Sequence, residues 1–389
     1  MNRAAIVAGS DMRSYGGGEK DIIGWVPKID DFEMAVFSPA DGVNLRVTKE
    51  QIDSLMEGKV PVVYFNALRI TFLRDLLPIG LDSVRNILLL RRYNTVYSMH
   101  QGLILNTLIL LTCKLRGSRF ILGIHSPIFF EVEPLGASPL KKFLMVFFRA
   151  FRKVLIMSIS YARVQNRSDL GHLVDLGFRG IAYSIPPFID TRRVPRSLGS
   201  NKNEFVALFV GRLAVNHKGV DLLCETIEKV LQKVPDVIFH IVGSGNDGEP
   251  YIRNILALYP RNVKWFGFLS EDELTDEFAG ASIFLFPSRR ENFGISLAEA
   301  QLCGLPSIAF KVMGSEDILS DDVQGTLIPP FDTAAFANAV VSSYEKWLAD
   351  PEGYARLKIA ISVLALERFS EARTLEQLKE MLHGKQAVD

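Results

Sequence analysis

The stretch Ile283-Phe-Leu-Phe-Pro-Ser-Arg-Arg-Glu-Asn-Phe-Gly-Ile-Ser-Leu-Ala-Glu-Ala300 runs from an apolar segment through a polar turn into a segment with helical spacing. A short, wholly apolar run reads as a strand buried on both faces, and a helix directly after it reads as the crossover of a parallel sheet. The same rhythm extends outward in both directions. Further strands are expected near Phe205–Val210, Val237–Val242, Val263–Phe266 and Ser307–Phe310. In the first half they are expected near Ala4–Ala8, Met34–Phe37, Val62–Phe65, Thr95–Ser98, Phe120–Ile124, Arg163–Asn166 and Ile181–Ile185. Val220–Leu231, Leu274–Phe278, Ile295–Leu302 and Ala334–Trp347 have the clearest amphipathic spacing. This alternation predicts an α/β protein with doubly wound parallel sheets.

A chain of 389 residues, 48% of them hydrophobic, exceeds what one core usually organises. Two Rossmann-like domains are expected, 1–190 and 204–365, with a linker over 191–203 and a C-terminal helix over 366–389 packing back on the first domain. The linker reading rests on Pro186-Pro187 and the polar, aperiodic stretch that starts at Asp190. Lys+Arg and Asp+Glu both total 44, so the net charge says nothing about polyanionic partners, and no nucleic-acid partner is expected. The distribution is uneven: residues 1–200 hold 26 basic and 17 acidic side chains, leaving 18 and 27, or +9 against −9. Between Asp82 and Asp169 the only acids are Glu131 and Glu133, which suggests an anionic surface partner for the first half.

Cys113, Cys224 and Cys303 lie far apart in apolar stretches, where cysteine behaves as a small hydrophobe, and a reducing cytoplasm is the simple reading. The N-terminus reads as a first strand rather than a signal peptide. Leu103 to Cys113 falls well short of the roughly 20 apolar residues that span a bilayer. Pro139 to Val154 has helical spacing and mixes Lys142, Arg149 and Lys153 with Leu140, Phe143, Met145, Phe147 and Phe151. Such a segment is either an interfacial helix at the inner face of a membrane or a core helix with a solvated basic stripe.

Three segments carry chemistry. Gly211-Arg-Leu-Ala-Val-Asn-His-Lys-Gly219 follows a strand and precedes a helix, which places Arg212 and Lys218 where open α/β sheets bind ligands. Two cations beside a helix N-terminus suit a diphosphate, although a solvated loop would look the same. Gly243-Ser-Gly245 after the next strand is either an anion-approaching turn or a plain strand exit. Glu291 and Glu299 bracket the start of a helix, and Glu299 lies in an otherwise apolar segment, where ligand hydroxyls or a helix salt bridge would offset the cost of burial. No Asp-x-Asp motif stands at a strand exit and no His/Cys cluster has zinc spacing, so no metal is expected.

In this order, with Gly267-Phe268 after the third strand and Gly304-Leu-Pro306 after the Glu-x7-Glu pair, these segments resemble the retaining GT-B glycosyltransferases of family four. The resemblance is close over about 205–330 and looser elsewhere. It implies two Rossmann-like domains facing a central cleft and a nucleotide-sugar donor needing no metal or cofactor. Arg212 and Lys218 would hold the donor diphosphate, with Gly211 and Gly243 at the approaching backbone. Glu299 would hold the ribose, and Glu291 the sugar hydroxyls, with the amides of Asn292, Phe293 and Gly294. The turn Gly267, Phe268 and Leu269 would lie against the base.

In the first half, Tyr15-Gly-Gly-Gly-Glu-Lys20, with Gly16, Gly17 and Gly18, matches the family's N-terminal glycine loop, and His125 its histidine near the donor sugar. Ser126-Pro127 and Pro187-Phe188 depart from the family pattern. His100 reads as structural or acceptor-side. The implied activity moves a sugar from a UDP- or GDP-sugar to a glycan or lipid-linked acceptor, with His125, Glu291, Arg212 and Lys218 as catalytic candidates. A GT-B epimerase and a noncatalytic sugar-binding subunit are the alternatives, and a dehydrogenase fits less well because the first loop lacks G-x-G-x-x-G.

Overall fold

The computed structural model describes residues 2–14, 17–40, 45–70, 75–78, 80–100, 102–125, 139–191, 204–319 and 321–385. The chain folds as two compact units, Met1–Phe188 with Glu371–Asp389, and Ile189–Ser370.

The first unit contains strands β1 (Asn2–Val7), β2 (Phe32–Ala40), β3 (Val62–Ile70), β4 (Asp75–Pro78), β5 (Thr95–Ser98), β6 (Arg119–Gly123), β7 (Tyr161–Val164) and β8 (Ile181–Ser184). Its helices are α1 (Gly17–Trp25), α2 (Lys49–Leu55), α3 (Leu81–Leu89), α4 (Leu103–Arg116), α5 (Pro139–Ser158) and α6 (Arg167–Asp175). The sheet runs β4-β3-β2-β1-β5-β6-β7-β8, parallel except for β4, which pairs antiparallel with β3 at the edge. Period-two alternation splits the core: Ala5 and Val7 face one layer, and Ala4, Ile6 and Ala8 the other.

The second unit contains β9 (Val206–Val210), α7 (Val215–Lys218), α8 (Val220–Leu231), β10 (Ile238–Val242), α9 (Glu249–Leu258), β11 (Val263–Gly267) and α10 (Glu271–Gly280). There follow β12 (Ile283–Phe286), α11 (Ile295–Leu302), β13 (Ser307–Phe310), α12 (Ser315–Ile318), β14 (Gly325–Ile328), α13 (Thr333–Ala349) and α14 (Pro351–Arg368). Its sheet is wholly parallel, in the order β11-β10-β9-β12-β13-β14. Local chemistry sets the helix starts. Ser270 and Glu273 form a reciprocal capping box on α10, Asp332 caps α13, and Asp350 with Pro351 opens α14. The last helix, α15 (Glu371–His383), returns to the first unit and buries Leu378, Met381 and Leu382 in its core.

Every strand expected from sequence is present. Two edge strands go beyond that expectation. β4 is Asp-Leu-Leu-Pro, which lacks β-branched residues, and β14 is Gly-Thr-Leu-Ile with only Ile328 buried, so neither has the continuous apolar run of a central strand. In each sheet the order reverses once, between β1 and β5 and between β9 and β12. Loops leaving the carboxyl ends at those points diverge and open a crevice.

The first unit also buries a charge. Arg163 on β7 and Asp21 on α1 are essentially solvent-free and pair at 3.0 Å. The guanidinium also donates to the carbonyls of Ile185 (3.2 Å) and Pro186 (2.6 Å) and to Tyr97 Oη (3.2 Å). Asp21 in turn accepts from the Phe188 amide at 2.6 Å. Burial opposes the Arg163 charge, but Asp21 and Tyr97 outweigh it and raise its pKa. Removing one partner strands the other, so Asp21→Ala should cost about 3–5 kcal/mol in urea unfolding, and Asp21→Ala with Arg163→Met should recover most of that loss. Equal losses in both variants would contradict a pairing role.

Candidate functional site

The second sheet's switch point is built by backbone crowding. A Cβ on Gly243 (φ +137°) would lie 1.8 Å from the Gly211 carbonyl oxygen, and one on Gly219 (φ +64°) 2.1 Å from that of Pro287. Only glycine allows such conformations and distances. The strand-exit loops are consequently stitched together: Gly211 N donates to Val242 O at 3.0 Å, Leu213 N to Ser244 O at 3.0 Å, and Arg289 N to His217 O at 2.9 Å.

Into this frame come the charged side chains. Lys218 Nζ is ion-paired to Glu291 Oε2, each side chain about a fifth exposed, and lies 5.4 Å from the Phe286 ring centroid. The sequence motifs assign these two residues to separate parts of a ligand, whereas the fold brings them onto each other. Arg212 is exposed on the same loop. His217 lies in the same Gly211–Gly219 segment, where the sequence assigns it no role, and it reports the local field. Its pKa is lowered first by burial and then by Arg212, with Lys218 and Arg290 adding to the effect and Glu291 opposing it. Arg289 points elsewhere, holding Asp221 through two hydrogen bonds of 2.5 and 2.7 Å and donating to Val215 O at 2.8 Å.

The Glu291–Gly294 loop leads into α11. Its N-cap, Gly294 (φ +93°), offers no side-chain cap, and the first turn carries no acid. The opening amides of such a helix have no partner within the helix and favour an anion. Asn292 and Phe293 are buried, with Phe293 packed edge-on to Phe369. Two hydroxyls beside this loop, Ser288 Oγ and Ser296 Oγ, are buried with no hydrogen-bond partner. Each orphan costs on the order of 1–3 kcal/mol until a partner arrives. No motif points to them, since a serine's satisfaction is decided only by packing.

Glu299 lies further along α11 in a pocket shared with Asp190, Glu271, Thr275 and Cys303. It is half-buried rather than enclosed in apolar surroundings. Burial, with Glu299 nearby, pushes the Cys303 thiol up to about 12. At the Gly267 turn (φ +68°) the carbonyl accepts from Gly243 N at 2.7 Å, the Phe268 side chain is 64% exposed, and Leu269 packs on the core.

In the first unit, both ring nitrogens of His125 are engaged, Nε2 with Tyr97 Oη at 2.5 Å and Nδ1 with Gln165 at 2.7 Å. Burial and then the Arg163 cation hold its pKa well below the ordinary value, so the imidazole is neutral. Gln165 carries no signal of this role in the sequence. His100 is buried, with Nδ1 3.2 Å from Gly9 O. Gly17 and Gly18 form the first turn of α1 rather than a loop, and Ser10 Oγ donates to Glu19 just beyond them. Gly16, Ser126-Pro127 and linker residues 192–203 lie outside the described residues. Among the described residues, no group of three or more His, Cys, Asp or Glu could hold a metal ion, and no helix is long and apolar enough to cross a membrane.

Residues 204–346 match the family described as glycosyl transferases group 1. Alpha-D-kanosaminyltransferase of Streptomyces kanamyceticus is 28% identical over 175 residues, 44% of each chain. The GDP-mannose-dependent alpha-(1-6)-phosphatidylinositol monomannoside mannosyltransferase of Mycolicibacterium smegmatis is 27% identical over 222 residues, 52% of this chain and 56% of that protein. The chain thus spans about half the length of these curated relatives. Anabaena Alr3699/HepE, solved in complex with UDP, superposes with a TM-score of 0.76 over 99% of this chain and 100% of that one at 18% identity, a likeness of fold. The fold is GT-B.

The field at His217 has a pH signature. An anion seated among Arg212, Lys218 and Arg290 offsets their repulsion of a protonated imidazole, so the His217 pKa rises on binding. Binding of inorganic pyrophosphate should therefore take up a proton in the pH range between the lowered pKa of the free protein and the raised pKa of the complex, and tighten as pH falls through the raised pKa. Calorimetry in buffers of differing ionisation enthalpy should show less uptake in His217→Gln; identical uptake in both proteins would remove His217 from the linkage.

Proposed function

With residues 204–346 forming a glycosyl transferases group 1 domain, we propose that the protein transfers a sugar from a nucleotide-diphosphate sugar to a glycan or lipid-linked acceptor, with retention of configuration. One observation carries the reading: a cationic loop, Arg212 to Lys218, and an uncapped α11 start meet at the switch point of the second sheet, beside two unsatisfied serine hydroxyls. That arrangement suits a diphosphate leaving group better than a sugar ring alone.

In this reading Arg212, Lys218 and the first amides of α11 take the growing negative charge of the departing diphosphate. The Lys218–Glu291 pair sets the register. Glu291, held by Lys218, accepts donor-sugar hydroxyls together with amides from Asn292 to Gly294. Glu299 accepts ribose hydroxyls, and the Gly267–Leu269 turn lies against the base. The glycosidic bond to the diphosphate breaks, the acceptor oxygen attacks the same face of the sugar, and the departing phosphate oxygen takes the acceptor proton. No protein nucleophile or metal is needed. The first unit is assigned to the acceptor side, with the glycines that open α1 and His125 as its candidate groups; Tyr97 and Gln165 fix the imidazole's orientation. UDP- and GDP-sugars are the donors of choice, supported by the UDP held in the fold relative and the GDP-mannose dependence of the mycobacterial one. A cytoplasmic setting is supported by three buried free cysteines.

A thermal-shift series with UDP-, GDP- and ADP-sugars tests the donor assignment, and the absence of a shift with all three would overturn it. Glu299→Ala should raise the donor KM about tenfold or more with a smaller effect on kcat, the loss expected for hydrogen bonds to a charged group. Glu291→Ala should lower kcat as well. Transfer should persist in EDTA.

A further inference from the structure

Helices α3, α4 and α5 form a layer on one side of the first sheet. Ile87, Leu105, Ile109, Cys113, Leu155 and Ile156 point inward to a common core, and α4 touches both α3 and α5. Their outward faces are also apolar. On α3 the exposed residues include Leu81 (91%), Val84 and Leu88; on α4, Leu108, Leu111 and Leu115 (76%); on α5, Val146 (63%), Phe147 (60%), Val154 and Met157. The spacings on α3 and α4 follow i, i+3 and i+7, one continuous stripe per helix. Monomeric soluble surfaces rarely carry contiguous apolar stripes on three neighbouring helices, and such a face marks an interaction surface.

Charge decides the partner. Arg85, Lys114, Arg116, Arg149 and Lys153 are exposed on the same three helices. Against these five cations, the one acid on the three helices among the described residues is Asp82, exposed in the first turn of α3. A second copy meeting it through the same face would bring cations against cations. An anionic lipid surface instead offers hydrocarbon to the leucines and phenylalanine and phosphate to the cations. We propose that the outer face of α3, α4 and α5 docks on an anionic bilayer as a monotopic surface, with the apolar stripes at the boundary between headgroups and acyl chains and the cations on lipid phosphates. This stands on exposure and charge and does not depend on the transferase reading.

The test is sedimentation of the full chain with vesicles of phosphatidylglycerol and phosphatidylcholine, and with phosphatidylcholine alone. Binding should be at least tenfold stronger to the anionic vesicles and weaken in high salt. Leu111→Glu with Phe147→Glu should abolish it, and Arg149→Gln with Lys153→Gln should reduce it severalfold. Both variants should keep the wild-type melting temperature and pyrophosphate affinity, because the substituted side chains are exposed. A control pair on another exposed apolar stripe, Ile359→Glu with Val363→Glu on α14, should bind like wild type. The proposal is overturned by absence of binding in the wild type or by equal binding in the Leu111/Phe147 variant. It is equally overturned by a concentration-dependent dimer that this variant dissolves, which would make the face a protein interface.

Discussion

At the switch point of the second sheet, Gly243 and Gly211 approach so closely that no side chain fits between them, and the candidate site depends on that approach. It lets the β9 and β10 exits share hydrogen bonds, which fixes the loop carrying Arg212 and Lys218. Gly219 does the same against Pro287, bringing this loop to the one after β12, where Glu291 meets Lys218. A rigid backbone frame of this kind positions charges before a ligand arrives, so the ordering cost is met during folding rather than during binding.

The two units solve the placement of polar groups differently. In the second, opposite charges face each other at a partly exposed strand exit, where a ligand can compete for them. In the first, Arg163 and Asp21 are sealed in the core and linked through Tyr97 to His125. That chain pins the imidazole and keeps it neutral. His125 is therefore a rigid hydrogen-bonding group and not a proton reservoir near neutral pH.

Much of the architecture is legible in the chain. The apolar runs of β12 and β13, bounded by glycine and proline, have the ends expected of them, as do the helices Val220–Leu231 and Ile295–Leu302. The edge strands β4 and β14 are not legible, because an edge needs less burial and leaves a weaker pattern. The candidate site is legible as a set of residues in sequence order, from Gly211 to Glu299. Its pairings are not, since Lys218 and Glu291 are 73 positions apart.

By itself, then, the sequence determined the class of fold, the position of nearly every strand and the loops that carry charge, because periodicity and glycine placement are local properties. Tertiary structure alone decided that Lys218 rests on Glu291, that His217 sits in the field of three cations, that Ser288 and Ser296 lack partners, and that His125 is held at both nitrogens. It also decided that the apolar stripes of α3, α4 and α5 face outward together. The pairings join distant segments, set by which faces the sheets bury, and no short window of sequence contains Lys218 with Glu291 or His125 with Gln165.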